Sequence, residues 1–512
     1  MSASNTGPRL PWDILSAISC SYFDSKTLLP YIRTCRTLYH SGIPHLLAAI
    51  PYRHRDLPTL NSFCNFVLDN ERRPLFLREI HLGCPKADAL SKDASPIYDL
   101  LVRVLELAKH INVLHILQAD LLLRMAPCLK PVLSSFKKLT SIHLSDAHKR
   151  TQKVCATLFS PVTSASITYT DTFMASADLE SDPTLLLQNF TDTLQNVSIS
   201  AANVVDFDWP FQDILFPHVT SLSVRTAEYP CAWLFFMLAF PNVVSATFDD
   251  QEEPQDDDFD QFYTTRESKL FFANGCWSNG LDYLSAGIIA VYVAGIQTHV
   301  REWSCPGGLH KDNLGYFHTL APVLQPSSIK LRITAEFLCE NGADIFQNLQ
   351  LTKLHLSVDL CEAHPCDTTA YVLDQLVSCF RRSMPLLKSL CLHLCHTHQW
   401  KSAGPTVASG SRSNVTPNAY DIYKPSRATE QLLKEEDHSV REYLDSMDMD
   451  AFMLHLSDAI PALEEIRIVM QHLYTDKVDR TCFSRVVQKE GEPADMRRVD
   501  GEDAKCSDVW FG

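Results

Sequence analysis

One apolar frame recurs along this chain: an apolar residue, two free positions, a second apolar residue, one free position and a third. Leu77–Ile80–Leu82 is its first occurrence. It returns at Ile111–Leu114–Ile116, Leu139–Ile142–Leu144, Leu194–Val197–Ile199, Val219–Leu222–Val224 and Val243–Ala246–Phe248. Further on it stands at Leu351–Leu354–Leu356, Leu387–Leu390–Leu392 and Leu463–Ile466–Ile468, with Ile329–Leu331–Ile333 as a related alternating strand. Alternation at the end of each frame is the period of a strand with one buried face. Helical spacing falls between the frames. It predicts helices over Leu60 to Leu68, Ile97 to His110 behind the Ser95–Pro96 start signal, and Thr368 to Phe380. Successive frames are 25 residues apart from Val197 to Leu222 and 24 from Leu222 to Ala246, but 34 from Ile80 to Leu114. A period of about 20–29 residues with a strand and a helix per unit marks a stacked array.

The front of the chain has a different pattern. Pro11 suits a first helical turn, and Ile14, Leu15 and Ile18 share a helical face. Pro30 is a second start signal, Ile32, Cys35 and Tyr39 keep helical spacing, Gly42 reads as a stop, and Pro44 to Ile50 reads as a third short helix. Leu10, Pro11, Asp13, Ile14 and Leu15, followed by Cys35–Arg36 before Leu38–Tyr39, resemble the F-box motif. Asp13 stands where Glu is commoner in that motif, and Leu38 where Trp or Phe is usual. The strand–helix alternation behind it resembles an irregular leucine-rich-repeat array, with the asparagine expected after each strand mostly absent. The alternative is a generic α/β domain with parallel strands, which uses the same alternation.

Together these predict an α/β chain: a short N-terminal helical F-box-like module, then a curved leucine-rich-repeat-like solenoid with parallel strands and outer helices. The expected divisions are a disordered 1–9, the helical module at 10–52, the array at 53–486 and a polar tail at 487–512. An acidic loop at 249–260 and a disordered, Ser/Thr/Pro/Gly-rich insertion at 401–429 interrupt the array. Between Phe271 and Leu320 the pattern is apolar and helical, without an assignable repeat.

Charge and cysteine usage narrow the partners. The formal net charge is −16 and there is no long Lys/Arg run, which argues against a nucleic-acid or anionic-membrane binder. The most apolar run, Tyr283 to Ile296, is too short to span a bilayer. Seventeen cysteines are scattered singly, and Met1 to Arg9 lacks a signal-peptide core, so reduced thiols in a cytoplasmic or nuclear protein are expected.

Candidate chemistry is sparse. The single free position of the frame holds His81, His115, His143 and His355, and elsewhere Ser198, Ser223, Thr247, Cys391 and Arg467. On a strand of an array this position lies on the concave side, away from the helices, so it could read a peptide or respond to pH. Cys391, His393 and Cys395 share a strand face, but strictly alternating positions on one strand spread too far to chelate one ion easily. No metal, cofactor or catalytic residue is therefore assigned. The motif scan finds no phosphate loop and no zinc-protease helix, and Gly275 to Gly280 has the wrong spacing for a nucleophile elbow.

What the resemblance implies is a non-enzymatic adaptor. Leu10, Pro11, Ile14, Leu15, Ile18, Ile32 and Leu38 would fill or brace the groove of the Skp adaptor in a Skp–cullin–F-box ubiquitin ligase. The array, with His81, His115, His143, His355, Cys391, His393 and Arg467 on its open face, would hold an unknown protein substrate. The alternative is a repeat scaffold whose N-terminal helices only cap it, without a link to ubiquitin.

Overall fold

A computed structural model describes residues 25–49, 51–53, 56–83, 94–169, 183–201, 214–226, 233–250, 276–347, 349–360, 367–397, 440, 443–444, 446–474, 477–486 and 496–499. The acidic loop beyond Asp250, the insertion at 401–429 and the first half of the F-box-like motif lie outside them. The chain forms two compact units, Met1–Val243 with Asp249–Glu252, and Val244–Phe248 with Glu253–Gly512.

Helices α1 (Ser25–Ile32) and α2 (Arg36–Ala49) open the first unit. The expected break at Gly42 is absent: one helix runs through Gly42 and Pro44, and Pro30 lies inside α1 rather than starting a helix. Gly42 serves close packing instead, because a Cβ there would collide with Cγ2 of Ile32. Pro44 removes one helical hydrogen bond, a loss offset by burial of Ile43 and Leu47 on either side of it. Strand β1 (Tyr52–Arg53) follows at once, so Tyr52 belongs to the sheet and not to the helical module.

Six more strands follow in sequence order, all parallel: β2 (Glu79–Leu82), β3 (Val113–Ile116), β4 (Ser141–Ser145), β5 (Ser164–Thr168), β6 (Asn196–Ala201) and β7 (Ser221–Thr226). Parallel neighbours need crossovers, and helices supply them. Helix α3 (Leu57–Leu68) joins β1 to β2, and the Asp56 carboxylate caps it by accepting the Thr59 amide at 2.7 Å. Then come α4 (Ala94–Leu107), α5 (Ala119–Met125), α6 (Leu129–Ser134), α7 (Lys149–Cys155) and α8 (Pro183–Leu187). Each frame residue is buried; Leu77, Ile80 and Leu82, for instance, are at most 1% exposed. Strand β5 carries a frame that the sequence reading passes over, Val162–Ala165–Ile167, equally buried.

In chain order α9 (Trp233–Ala239) is followed by β8 (Ser245–Asp250), whose residues up to Phe248 open the second unit. Parallel strands β9 (Leu281–Ser285), β10 (Val300–Ser304), β11 (Ser328–Thr334), β12 (Lys353–Asp359), β13 (Ser389–Thr397) and β14 (Glu465–Tyr474) follow in order. Between them run α10 (Ile288–Ala294), α11 (Lys311–Leu324), α12 (Ala335–Ile345), α13 (Asp367–Ser383) and α14 (Met449–Ala459). The stretch without an assignable repeat holds two: Leu281–Leu284–Ala286 and Val300–Trp303–Cys305, every residue at most 2% exposed. Ala, Trp and Cys in place of Leu hide the frame. The expected parallel order ends here. Strand β15 (Lys477–Val486) turns back antiparallel to β14, and β16 (Met496–Val499), within the expected polar tail, pairs antiparallel with β15.

A candidate binding face on each unit

Strand pairing in register converts the free position of the frame into continuous rows. In the first unit Arg53, His81, His115, His143, Ser166, Ser198 and Ser223 are successive register partners on the face away from the helices. Three histidines therefore stand side by side. The His81 and His115 rings stack at 3.8 Å between centroids and 18°, and His115 stacks on His143 at 4.0 Å and 3°. All three point their Nε2 toward the preceding row. Nε2 of His81 lies 2.6 Å and Nε2 of His115 lies 3.3 Å from Oε1 of Glu79, and His143 Nε2 lies 3.1 Å from Ser141 Oγ. Burial, then the neighbouring imidazoles of His143 and His81, pull the His115 pKa down to about 4 against the opposing pull of Glu79. Burial likewise lowers that of His143.

In the second unit the row runs Thr247, Ser285, Ser304, Lys330, His355, Cys391 and Arg467. His355 is thus flanked by Lys330 and Cys391 rather than by other histidines. Lys330 Nζ lies 2.6 Å from Glu302 Oε1 and reaches over the Tyr283 ring, 5.5 Å from its centroid. One row further on, Arg332 pairs with Asp359 at 2.8 Å. Burial lowers the His355 pKa first, followed by Lys330, while Glu302 and Glu465 oppose and Lys353 adds to the fall. His355 and Arg467 are half-buried, whereas Cys391, His393 and Cys395 are buried on this face. Ser357 Oγ lies 3.2 Å from Cys395 Sγ.

Of the residues assigned to the adaptor groove, Leu10, Pro11, Ile14, Leu15 and Ile18 lie outside the described residues. Ile32 and Leu38 are buried, at 1% and 6% exposed. Glu79, Lys330, Glu302, Arg332 and Asp359 escaped sequence reasoning. Apart from His81, two residues from Glu79 on the same strand, their partners lie on neighbouring strands 27 or more residues away, united by strand register. Among the described residues no helix is long and apolar enough to cross a membrane. No family model matches the chain, and no curated protein matches it.

Proposed function

We propose that this chain is the substrate-recognition adaptor of a Skp–cullin–F-box ubiquitin ligase. Its N-terminal helices dock on the Skp adaptor, and the open faces of a leucine-rich-repeat-like, curved array hold a protein substrate. Catalysis is by proximity: the receptor raises local concentration and fixes orientation, and the covalent steps belong to other subunits. One observation carries the reading. Helix α2 ends at Ala49 and the sheet begins at Tyr52, so only two residues of chain separate the F-box-like helices from the array. A receptor that must aim a substrate needs such a short joint, and a detached interaction module does not. The buried positions of Ile32 and Leu38 leave Leu10, Pro11, Ile14, Leu15 and Ile18 to meet the partner.

The test is co-purification with the Skp adaptor, wild type beside Ile14→Asp with Leu15→Asp. A stoichiometric complex lost in the folded double variant supports the receptor reading. Well-folded wild-type protein that forms no complex overturns it and leaves a repeat scaffold with an N-terminal cap.

A further inference from the structure

Glu79, His81 and His115 bring three metal-ligating atoms within 4.8 Å of one another on two adjacent strands. Register explains the convergence. Glu79 and His81 are same-face neighbours on β2, and His115 is the direct partner of His81 on β3. Hydrogen-bonded strands are only about 4.8 Å apart, whereas same-face positions along one strand are about 7 Å apart. A ligand set spanning two strands is therefore tighter than one confined to a strand, such as Cys391, His393 and Cys395.

We propose that Glu79, His81 and His115 form a binding site for a divalent transition cation of the Zn²⁺ class. Two imidazoles and one carboxylate are the donor set that borderline cations prefer, with a fourth position left over. The distances fit. Metal–ligand bonds of about 2.0–2.2 Å in a tetrahedron place ligand atoms roughly 3.3 Å apart. Glu79 Oε1 and His115 Nε2 are already 3.3 Å apart. Glu79 Oε1 and His81 Nε2, hydrogen-bonded at 2.6 Å, must release the shared proton and separate to that spacing. Both ring nitrogens lie near the same carboxylate oxygen. The stacked rings, 18° from parallel, must tilt toward each other and the carboxylate must turn aside for one cation to take all three atoms.

The surroundings hold the ligands in place. His143 covers the far side of the His115 ring and is itself tied to Ser141. All three ligand residues are half-buried on the open face, which leaves the fourth position to water or to a side chain of a docked protein. The site is independent of the ligase reading. A bound cation would clip β2 to β3 near the start of the sheet.

The probe is the metal alone, added to the full chain that has been stripped with a chelator and kept reduced. Co²⁺ titration followed by Zn²⁺ displacement is expected to show one equivalent bound, with visible absorption free of sulfur-to-metal charge transfer. His81→Ala and His115→Ala are each expected to weaken binding by about tenfold or more, and exposed His218→Ala to leave it unchanged. Binding that survives both substitutions together overturns the proposal, as does wild-type protein that takes up no equivalent. Where a variant misfolds, the wild-type spectrum decides: thiolate bands assign the metal to cysteines and reject the site.

Discussion

The carboxylate of Asp120, just after β3, caps a helix that begins nearly thirty residues later. Its oxygens accept the amides of His148 at 2.8 Å, Arg150 at 3.1 Å and Thr151 at 2.9 Å, and the Thr151 hydroxyl at 2.7 Å. Helix α7 thus takes its N-terminal cap from the preceding repeat. Short helices cannot stand alone, and this bond set joins one unit of the array to the next.

Asp120→Ala is accordingly expected to cost about 2–3 kcal/mol, since it orphans buried donors as well as removing a cap. Asp120→Asn should lose less, retaining one acceptor oxygen while aiming an amino group at donors. Burial pushes the Asp120 pKa up, but the Thr151 hydroxyl and the three amides outweigh it, and the net value falls below 3.8. The unfolded chain then binds the proton more readily than the folded one. The contribution is present above the unfolded-state value and lost as pH falls through the lower folded-state value. Urea denaturation of wild type and Asp120→Asn should show a stability gap at neutral pH that closes in acid. A gap that widens in acid would contradict the assignment.

Gly42 and Ile32 make a second test. Gly42→Ala sets a methyl against Ile32 Cγ2 and should destabilise the α1–α2 pair by about 1–3 kcal/mol. Ile32→Ala costs stability on its own by leaving a cavity. In the double variant the new methyl occupies part of that space, so the loss should be smaller than the two single losses added together. Hydrogen exchange within 25–49 is the readout. Strict additivity would mean that the helices are held apart by something else.

How much of this was legible in the sequence depended on the range of the interaction. The frames at Leu114, Ile142, Leu222 and Leu390 were legible because each strand buries its own alternating side chains. The frames at Ala165, Leu284 and Trp303 obey the same geometry with residues of unlike size, and large side chains such as Trp303 fill space that Leu fills elsewhere. Gly42 misled because glycine ends helices by backbone freedom but also permits close packing, and only the position of Ile32 distinguishes the two. His81, His115 and His143 were legible as a pattern. The contact of His115 with Glu79 was not, because it depends on which strands pair and in what register.

His355 supplies the pH prediction for the second unit. Burial is the main cause of its lowered pKa; Lys330 and Lys353 reinforce it, and Glu302 and Glu465 oppose it. The folded state therefore resists the proton that the unfolded imidazole takes up near 6.5. Stability is full above that value and falls as pH drops from it toward the lower folded-state value. His355→Gln should remove this part of the slope, so the variant loses less stability than wild type between pH 7 and pH 5. Chemical denaturation at both values checks it, and parallel losses in the two proteins would show that His355 does not titrate as described.

Two hydroxyls that bond backbone carbonyls of the preceding repeat should differ sharply in worth. Thr352 Oγ1 donates to Ser327 O at 3.1 Å, but that carbonyl also accepts the amides of Thr352 at 2.9 Å and Lys353 at 3.0 Å. Removing a third donor from a half-buried carbonyl leaves it satisfied, so Thr352→Val should cost less than about 1 kcal/mol. Ser160 is 5% exposed and works in both directions: its hydroxyl donates to Phe136 O at 2.7 Å and accepts the Leu139 amide at 3.3 Å. Those two backbone groups flank the entry into β4, where water cannot easily replace the lost partner. Ser160→Ala should therefore cost about 2–4 kcal/mol, the penalty of two desolvated groups. Equilibrium unfolding of the two variants beside wild type measures the contrast. Similar losses from both would mean that solvent reaches the Ser160 site and that burial does not set the scale there.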